Sequence, residues 1–120
     1  KADVFRYLAL HKYGGIYADI DTICFKSIGP LLDLFGNSVI TGFEYTQPVQ
    51  YLQWFIACPK NSKIMIQLVE EVYRRSWFKP LKMLSLTDNE LVYYMTGPVM
   101  YTSILKSSGQ FQIGPKIGKK

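Results

Sequence analysis

The sequence has few cysteines, no long apolar run and no concentrated charge, and each shortage narrows the range of functions. Its two cysteines, Cys24 and Cys58, do not form a Cys-x-x-Cys pair, which argues against a zinc site. Both lie in apolar stretches, so we expect buried free thiols, while a disulfide between them and the redox compartment stay open. No apolar run approaches the about 20 residues that cross a bilayer, and no secretory signal is visible.

The charge of the chain is mildly basic and dispersed. The formal net charge is +5, and the basic residues form no single run apart from Arg74-Arg75 and a lysine-rich end. Such a distribution argues against a nucleic-acid partner. It suits anionic ligands such as nucleotide diphosphates, or an anionic membrane surface.

The length bounds the organisation of the chain. Its 120 residues correspond to one small domain, residues 1–120, with a modest core. The chain starts without Met inside a predicted helix and ends without a closing element. We therefore expect a fragment of a longer protein.

Helices and strands are predicted to alternate along the chain, which indicates an α/β fold. The first helix, residues 2–13, is expected to be well buried, with Phe5, Leu8 and Ala9 on one side; Gly14 suits its end. A capping box at Thr87 is predicted to start a later helix. The remaining predictions are strands at 16–21, 38–43, 54–58 and 111–113, helices at 31–35, 63–75, 88–95 and 98–106, and a loop at 44–53.

The sharpest chemical feature is the triplet Asp19-Ile20-Asp21. Alternation predicts that Tyr17, Asp19 and Asp21 share one face of the strand, with the apolar residues on the other face. Two carboxylates so placed can converge on a hard divalent cation that also takes phosphate oxygens. An Asp-x-Asp triplet alone is common, and a solvated acidic surface is the alternative.

Asp3 and Arg6 form a second feature on the first helix. A spacing of three places them on one helix face, where the ordinary reading is a surface ion pair. Their helix is otherwise apolar, so we expect the pair to lie away from free solvent. A partly buried arginine offers a fork of donors to sugar hydroxyls or phosphate.

These residues together resemble one glycosyltransferase family. The resemblance rests on residues 2–7 (ADVFRY), Leu10 and residues 14–22 (GGIYADIDT). The family contains a sugar-binding region with a DXD motif and includes yeast-type initiating α-1,6-mannosyltransferases and inositolphosphoceramide mannosyltransferases. Two further blocks, at 54–61 and at Thr96-Gly97-Pro98, are similar. Gln53-Trp54 stands where the family usually has Asn, which puts a substrate contact there in doubt.

The resemblance implies a fold, a cofactor and a reaction. It implies a GT-A-type nucleotide-sugar-binding sandwich, of which this chain is an incomplete part. A divalent metal, with Mn²⁺ the first expectation and Mg²⁺ the second, would be held by Asp19 and Asp21, which are catalytic through it. Asp3, Arg6 and Tyr17 would bind the donor.

The implied reaction is a retaining transfer of a hexose, with mannose first, from GDP-mannose or a UDP-hexose to a glycan or lipid acceptor. Relatives of the yeast type sit in the Golgi membrane, so membrane association through other parts of the protein is expected. Two alternatives stay open: a degenerate, non-catalytic nucleotide-sugar or glycan-binding module, and a small partner-binding domain. The carboxyl-terminal His/Ser/Trp block of the family is not found here.

Overall fold

The computed structural model describes residues 2–35, 38–44, 49–77, 86–108 and 111–113. Within these ranges the chain forms helices and strands in mixed order, as the sequence predicts. The helices are α1 (Ala2–Tyr13), α2 (Gly29–Phe35), α3 (Lys63–Trp77), α4 (Asp88–Met95) and α5 (Pro98–Ser108). The strands are β1 (Gly15–Ala18), β2 (Val39–Glu44), β3 (Gln50–Cys58) and β4 (Phe111–Ile113).

The four strands form one sheet in the order β1-β3-β2-β4. β3 pairs antiparallel with β1 and with β2, and β4 pairs parallel with β2. The predicted loop over residues 44–53 is wrong at its end, because Glu44 pairs with Gln50 and Phe43 with Tyr51, and these pairs extend β3 to Gln50. β3 is therefore an interior strand, and residues 52–58 are all buried.

The main core lies between this sheet and three helices. It combines side chains of α1, α3 and α5 with Ile56 and Cys58 of β3 and with Val39 of β2. The spacing of four predicted for α3 is confirmed, because Ile64 and Leu68 are buried. Both lie on the stripe of an amphipathic helix that faces the core.

The buried face of α1 differs from the prediction. Phe5 is 69% exposed and Leu8 is also exposed, whereas Tyr7 and Leu10 are buried with Arg6. The helix has few polar residues, so its apolar periodicity did not identify one face. Contact with α3 and β3 selected the face that carries the arginine.

The corner between α1 and β1 depends on Gly14. Its φ is +66°, the left-handed conformation expected at a helix end, and its N–H donates to the Leu10 carbonyl at 2.8 Å. A Cβ at this position would lie 2.5 Å from the Lys60 backbone nitrogen. The Asn61 N–H also donates to the His11 carbonyl at 2.8 Å, so the end of α1 is docked on the turn after β3.

The strand that precedes the acidic triplet is shorter than predicted. β1 ends at Ala18, and the Thr22 N–H donates to the Asp19 carbonyl at 3.0 Å, so residues 19–22 form a turn. Asp19 and Asp21 therefore do not share the face of a strand. The apolar positions Ile16, Ala18 and Ile20 are exposed, because β1 buries its Tyr17 side instead.

The later helices confirm the sequence patterns. The Thr87 hydroxyl accepts from the Glu90 N–H while the Glu90 carboxylate accepts from the Thr87 N–H, which is the predicted capping box. At Gly97 a Cβ would lie 2.8 Å from the Tyr93 Cα, so this glycine allows α5 to start against the end of α4. Within the described residues, no helix is long and apolar enough to cross a membrane.

The two cysteines occupy different environments. Both are free thiols, and Cys58 is buried as predicted, but Cys24 is exposed. Burial raises the pKa of the Cys58 thiol to about 11. The prediction of a buried Cys24 is wrong because its segment, residues 23–27, is an irregular and exposed stretch after the turn.

Candidate functional site

A cleft of about 410 Å³ opens where α1, the end of β1, β3 and the α4–α5 corner meet. Three of the residues singled out from sequence, Asp3, Arg6 and Asp19, line it. The rest of its wall comes from β2, β3, α4 and the Gly97-Pro98 corner. Segments far apart in sequence thus converge on the predicted donor-binding residues.

Asp3 and Arg6 form the predicted pair, and the pair is largely buried. Arg6 Nη2 lies 2.9 Å from Asp3 Oδ1, and the two side chains are 9% and 17% exposed. The other carboxylate oxygen of Asp3 accepts from the Thr96 hydroxyl at 2.9 Å. The pair is therefore fixed from two sides, unlike a mobile surface ion pair.

Arg6 also connects the helix to the sheet. Its Nη1 donates to the Gln53 carbonyl at 2.6 Å and lies 3.9 Å from Asp19 Oδ1. Its guanidinium stacks over the Tyr17 ring, 4.5 Å from the ring centre. One side chain thus contacts three segments that border the cleft.

A second layer of hydrogen bonds lies behind this pair. The Gln53 amide donates to the Thr96 carbonyl at 2.7 Å and to the Tyr7 hydroxyl, which itself donates to the Thr96 carbonyl at 3.0 Å. Burial raises the pKa of Tyr7 above its ordinary value, so its hydroxyl stays protonated as a donor. Tyr7 also stacks on the Tyr101 ring.

Tyr17 contacts Asp19 directly, which the sequence analysis did not predict. The Tyr17 hydroxyl donates to Asp19 Oδ1 at 2.8 Å, and the Asp19 N–H donates to the Trp54 carbonyl at 3.0 Å. Burial, followed by the bond to Asp19, raises the pKa of Tyr17. Asp19 is thereby held at the cleft, directly where β1 ends.

Asp21 lies in the turn that follows and is exposed. It follows Asp19 by two residues in this turn and is not a lining residue of the cleft. The next residue, Thr22, adds a hydroxyl that is buried and has no hydrogen-bond partner among the described residues. Asp19, Asp21 and Thr22 thus concentrate oxygen atoms on one turn, which is the chemistry that hard divalent cations prefer.

The oxygen ligands on this turn fit a metal ion that is also coordinated by a bound substrate. Across the described ranges, no three His, Cys, Asp or Glu residues group closely enough to form a complete metal cage. Mg²⁺-type ions are commonly held by one or two carboxylates, with substrate phosphates and water completing the shell. Two carboxylates, those of Asp19 and Asp21, are present on this turn.

Another part of the cleft wall has a different character. The Trp54 indole N–H donates to Glu44 Oε1 at 3.1 Å. Tyr93, Val92 and Asn89 of α4 complete this side. These residues were not assigned a role from sequence.

Comparison with known proteins accounts for the first part of this site. Residues 1–42 match the family described as "Glycosyltransferase sugar-binding region containing DXD motif". This segment is therefore similar to the sugar-binding region of glycosyltransferases. The resemblance drawn from residues 2–22 is confirmed, and proteins with this motif are typically dependent on a divalent metal.

Relatives extend the likeness over nearly the whole chain. The initiation-specific alpha-1,6-mannosyltransferase of Schizosaccharomyces pombe is 34% identical over 96% of this chain and 33% of its own length. Inositol phosphoceramide mannosyltransferase 1 of the same yeast is 39% identical over 51% of this chain and 18% of its own length. The chain thus spans a third or less of these relatives.

A solved structure supports the fold. The structure titled "PaToxG Glycosyltransferase" superposes with a TM-score of 0.67 and 25% identity, covering 89% of this chain and 34% of that one. The predicted glycosyltransferase α/β fold is confirmed. The predicted enzyme class, a glycosyltransferase, agrees with all three comparisons.

Sequence reasoning missed part of the supporting network. Gln53 was noted as a departure from the family pattern, yet its carbonyl and its amide both join the network around Arg6. The Thr96-Gly97-Pro98 block was recognised, but not the bond from Thr96 to Asp3. No spacing rule links residue 3 to residue 96, so only the resemblance of both blocks to one family could have suggested it.

Proposed function

We propose that this chain carries the donor site of a metal-dependent, retaining hexosyltransferase. The transferred sugar is mannose and the donor a nucleotide sugar, GDP-mannose before a UDP-hexose. The acceptor is a glycan or glycolipid. The observation that supports this most is the connected set Asp3, Arg6, Tyr17 and Asp19 at one side of the cleft, next to Asp21.

Asp3 and Arg6 are proposed to hold the donor sugar. A carboxylate and a guanidinium that are already paired present acceptors and donors side by side, which matches neighbouring sugar hydroxyls. Their bonds to Thr96 and Gln53 fix both groups before the ligand arrives. A site ordered in advance avoids the cost of ordering side chains during binding.

Asp19 and Asp21 are proposed to hold the metal, Mn²⁺ before Mg²⁺. When bound, the ion would act as a Lewis acid that stabilises the negative charge of the diphosphate leaving group. Tyr17 orients Asp19 through its hydroxyl, and its ring keeps the Arg6 guanidinium beside the same carboxylate. No residue is assigned as a nucleophile or general base, because retaining transfer can proceed with attack from the leaving-group face.

The names of the relatives support the choice of sugar and of acceptor in this proposal. Three relatives from yeasts are named either initiation-specific alpha-1,6-mannosyltransferase or inositol phosphoceramide mannosyltransferase. These names support mannose as the sugar, and the second supports a glycolipid acceptor. A membrane-associated Golgi location, through other parts of the protein, stays a prediction.

A thermal-shift series tests the donor site. The chain is heated with Mn²⁺ alone, with GDP or UDP alone, and with each nucleotide plus Mn²⁺. We expect a rise in Tm that needs both metal and nucleotide, because a ligand that binds the folded state stabilises it by mass action. The larger rise identifies the base of the donor.

Asp21→Asn should abolish the metal-dependent rise, while the matched variant Asp33→Asn on α2 should keep it. Asp33 is exposed and does not line the cleft. An unchanged response of Asp21→Asn would contradict the metal role. A nucleotide response without any metal dependence would favour the degenerate binding module instead.

A further inference from the structure

We propose that the wall formed by Glu44, Trp54, Asn89 and Tyr93 is an acceptor subsite that binds a neutral pyranose. This inference rests on the proposed function, since it presupposes a donor sugar at the Asp3–Arg6 side of the same cleft. It specifies that the acceptor is recognised through a sugar ring. The four residues line one cleft but come from three different elements.

Glu44 is a carboxylate with a fixed orientation. It ends β2 and is exposed, yet its Oε1 accepts from the indole N–H of Trp54, which is only 8% exposed. The buried indole restrains the carboxylate through Oε1. An oriented carboxylate can accept from two adjacent hydroxyls of a sugar in charge-assisted bonds.

Tyr93 and Asn89 line the same cleft from α4. They are four residues apart, so they share one helix face. Tyr93 is 52% exposed although it lines the cleft, which leaves part of its ring open to a ligand. The apolar face of a pyranose can pack on such a ring, and the Asn89 amide offers both a donor and an acceptor to hydroxyls.

The position along β3 separates Glu44 from the donor residues. Glu44 pairs with Gln50, whereas Arg6 meets the backbone at Gln53. Three residues of strand correspond to about 10 Å. The acceptor ring is therefore placed at Glu44 and Tyr93, beside a donor sugar at Asp3 and Arg6, and Trp54, which directly follows Gln53, borders both positions.

The charge of the wall selects against an anionic ligand. Among the described residues that line the cleft, the positive charge is that of Arg6, which is already engaged with Asp3 and lies on the donor side. The proposed acceptor wall carries the Glu44 carboxylate with neutral polar and aromatic groups. A phosphate would be repelled there, whereas an uncharged polyol would not.

The two tryptophans make a direct test possible by NMR. The chain is titrated with methyl α-D-mannopyranoside, without metal or nucleotide, and the indole N–H signals are followed. The Trp54 signal should shift in a saturable way, because its hydrogen-bond partner binds the sugar. The signal of Trp77, which is 70% exposed on α3 and does not line the cleft, is the internal control.

Substitutions in the proposed acceptor wall test which residues contribute to the affinity for the mannoside. Glu44→Gln should weaken the mannoside by about tenfold, because a charge-assisted bond becomes a neutral one. Tyr93→Ala should weaken it by a similar factor. Glu70→Gln and Tyr73→Ala are the matched controls, since both residues are exposed on α3 and lie outside the cleft, and they should not change the titration.

The outcomes separate this inference from the proposed function. A saturable Trp54 shift that Glu44→Gln weakens supports the subsite, even if GDP and UDP fail to bind with Mn²⁺. Nucleotide binding without any Trp54 shift at millimolar mannoside overturns the subsite and leaves the donor site standing. A shift that Asp3→Asn abolishes but Glu44→Gln does not would also overturn it, since the sugar would then occupy the donor side.

Discussion

Helices α1 and α3 each carry an acidic residue three positions before an arginine, and the two pairs lie in different surroundings. Asp3 and Arg6 lie at the cleft, where Thr96 and Gln53 contact them from distant parts of the chain. Glu71 and Arg74 lie on α3, where Arg74 is 58% exposed, and Glu71, only 14% exposed, also bonds Arg75. The same helical spacing therefore produces a largely buried arginine in one place and a solvent-exposed arginine in the other.

The surroundings of the two arginines explain the difference. The Arg6 side chain contacts strands β1 and β3, with its guanidinium over the Tyr17 ring. Arg74 instead bonds Glu71 within its own helix. A buried charge that loses its partner is costly, while an exposed one is rehydrated. Three measurements test this difference between the two pairs and their surroundings, from the largest expected effect to the smallest.

The largest effect is expected when one arginine of each pair is removed. Arg6→Ala should lower the free energy of unfolding by about 3–5 kcal/mol, because Asp3 and the Gln53 carbonyl lose a buried partner. Arg74→Ala should have a much smaller effect, because its exposed guanidinium is solvated and Glu71 keeps its bond to Arg75. Urea unfolding at neutral pH measures both, and equal losses would remove the distinction between the two pairs.

An intermediate effect is expected at Gln53, which belongs to the layer behind Arg6. Gln53→Leu keeps the backbone bond to Arg6 but removes the amide bonds to Tyr7 and to the Thr96 carbonyl. The loss should be about 1–3 kcal/mol, because buried polar partners are left unsatisfied. Gln67→Leu, at an exposed position of α3, is the control. A Gln53 variant as stable as this control would show that the layer does not support the site.

The smallest effect is a pH dependence at Glu71. Its bonds to Arg74 and then to Arg75 lower the pKa of this carboxyl from 4.5 to about 2. Because the folded-state pKa lies below the unfolded one, the stabilisation is present above pH 4.5 and is lost as the pH falls toward 2. Glu71→Gln should therefore reduce the acid sensitivity of unfolding between these pH values. Glu70→Gln should leave it unchanged, and an equal response of the two variants would contradict the assignment.

Local patterns were sufficient where neighbours in sequence decide the structure. The helix end at Gly14, the capping box at Thr87 and the buried stripe of α3 were all predicted, because each depends on residues within a few positions. The donor residues Asp3 and Arg6 were likewise found together by their spacing and by the family block. Their burial was inferred from the apolar character of the helix.

Sequence patterns gave wrong predictions where contact with a segment distant in the chain determined which of two locally possible structures forms. Alternation extended β1 through Asp21, but pairing with β3 ends at Ala18 and a turn follows. The periodicity of α1 favoured Phe5 and Leu8 as its core face, whereas the packing of α3 and β3 buried Tyr7 and Leu10. In both cases the local sequence was compatible with either outcome.

The sequence by itself determined the chemistry: two carboxylates in a DXD block, an acid and an arginine one helical turn apart, and the glycines that allow the tight corners. The tertiary structure decided which of these groups face one another. It placed Thr96 on Asp3, Gln53 on Arg6 and Glu44 on Trp54, and it left Asp21 on an exposed turn. The physical reason is that contacts between residues distant in the chain depend on how the sheet and helices pack, and no local spacing encodes that packing.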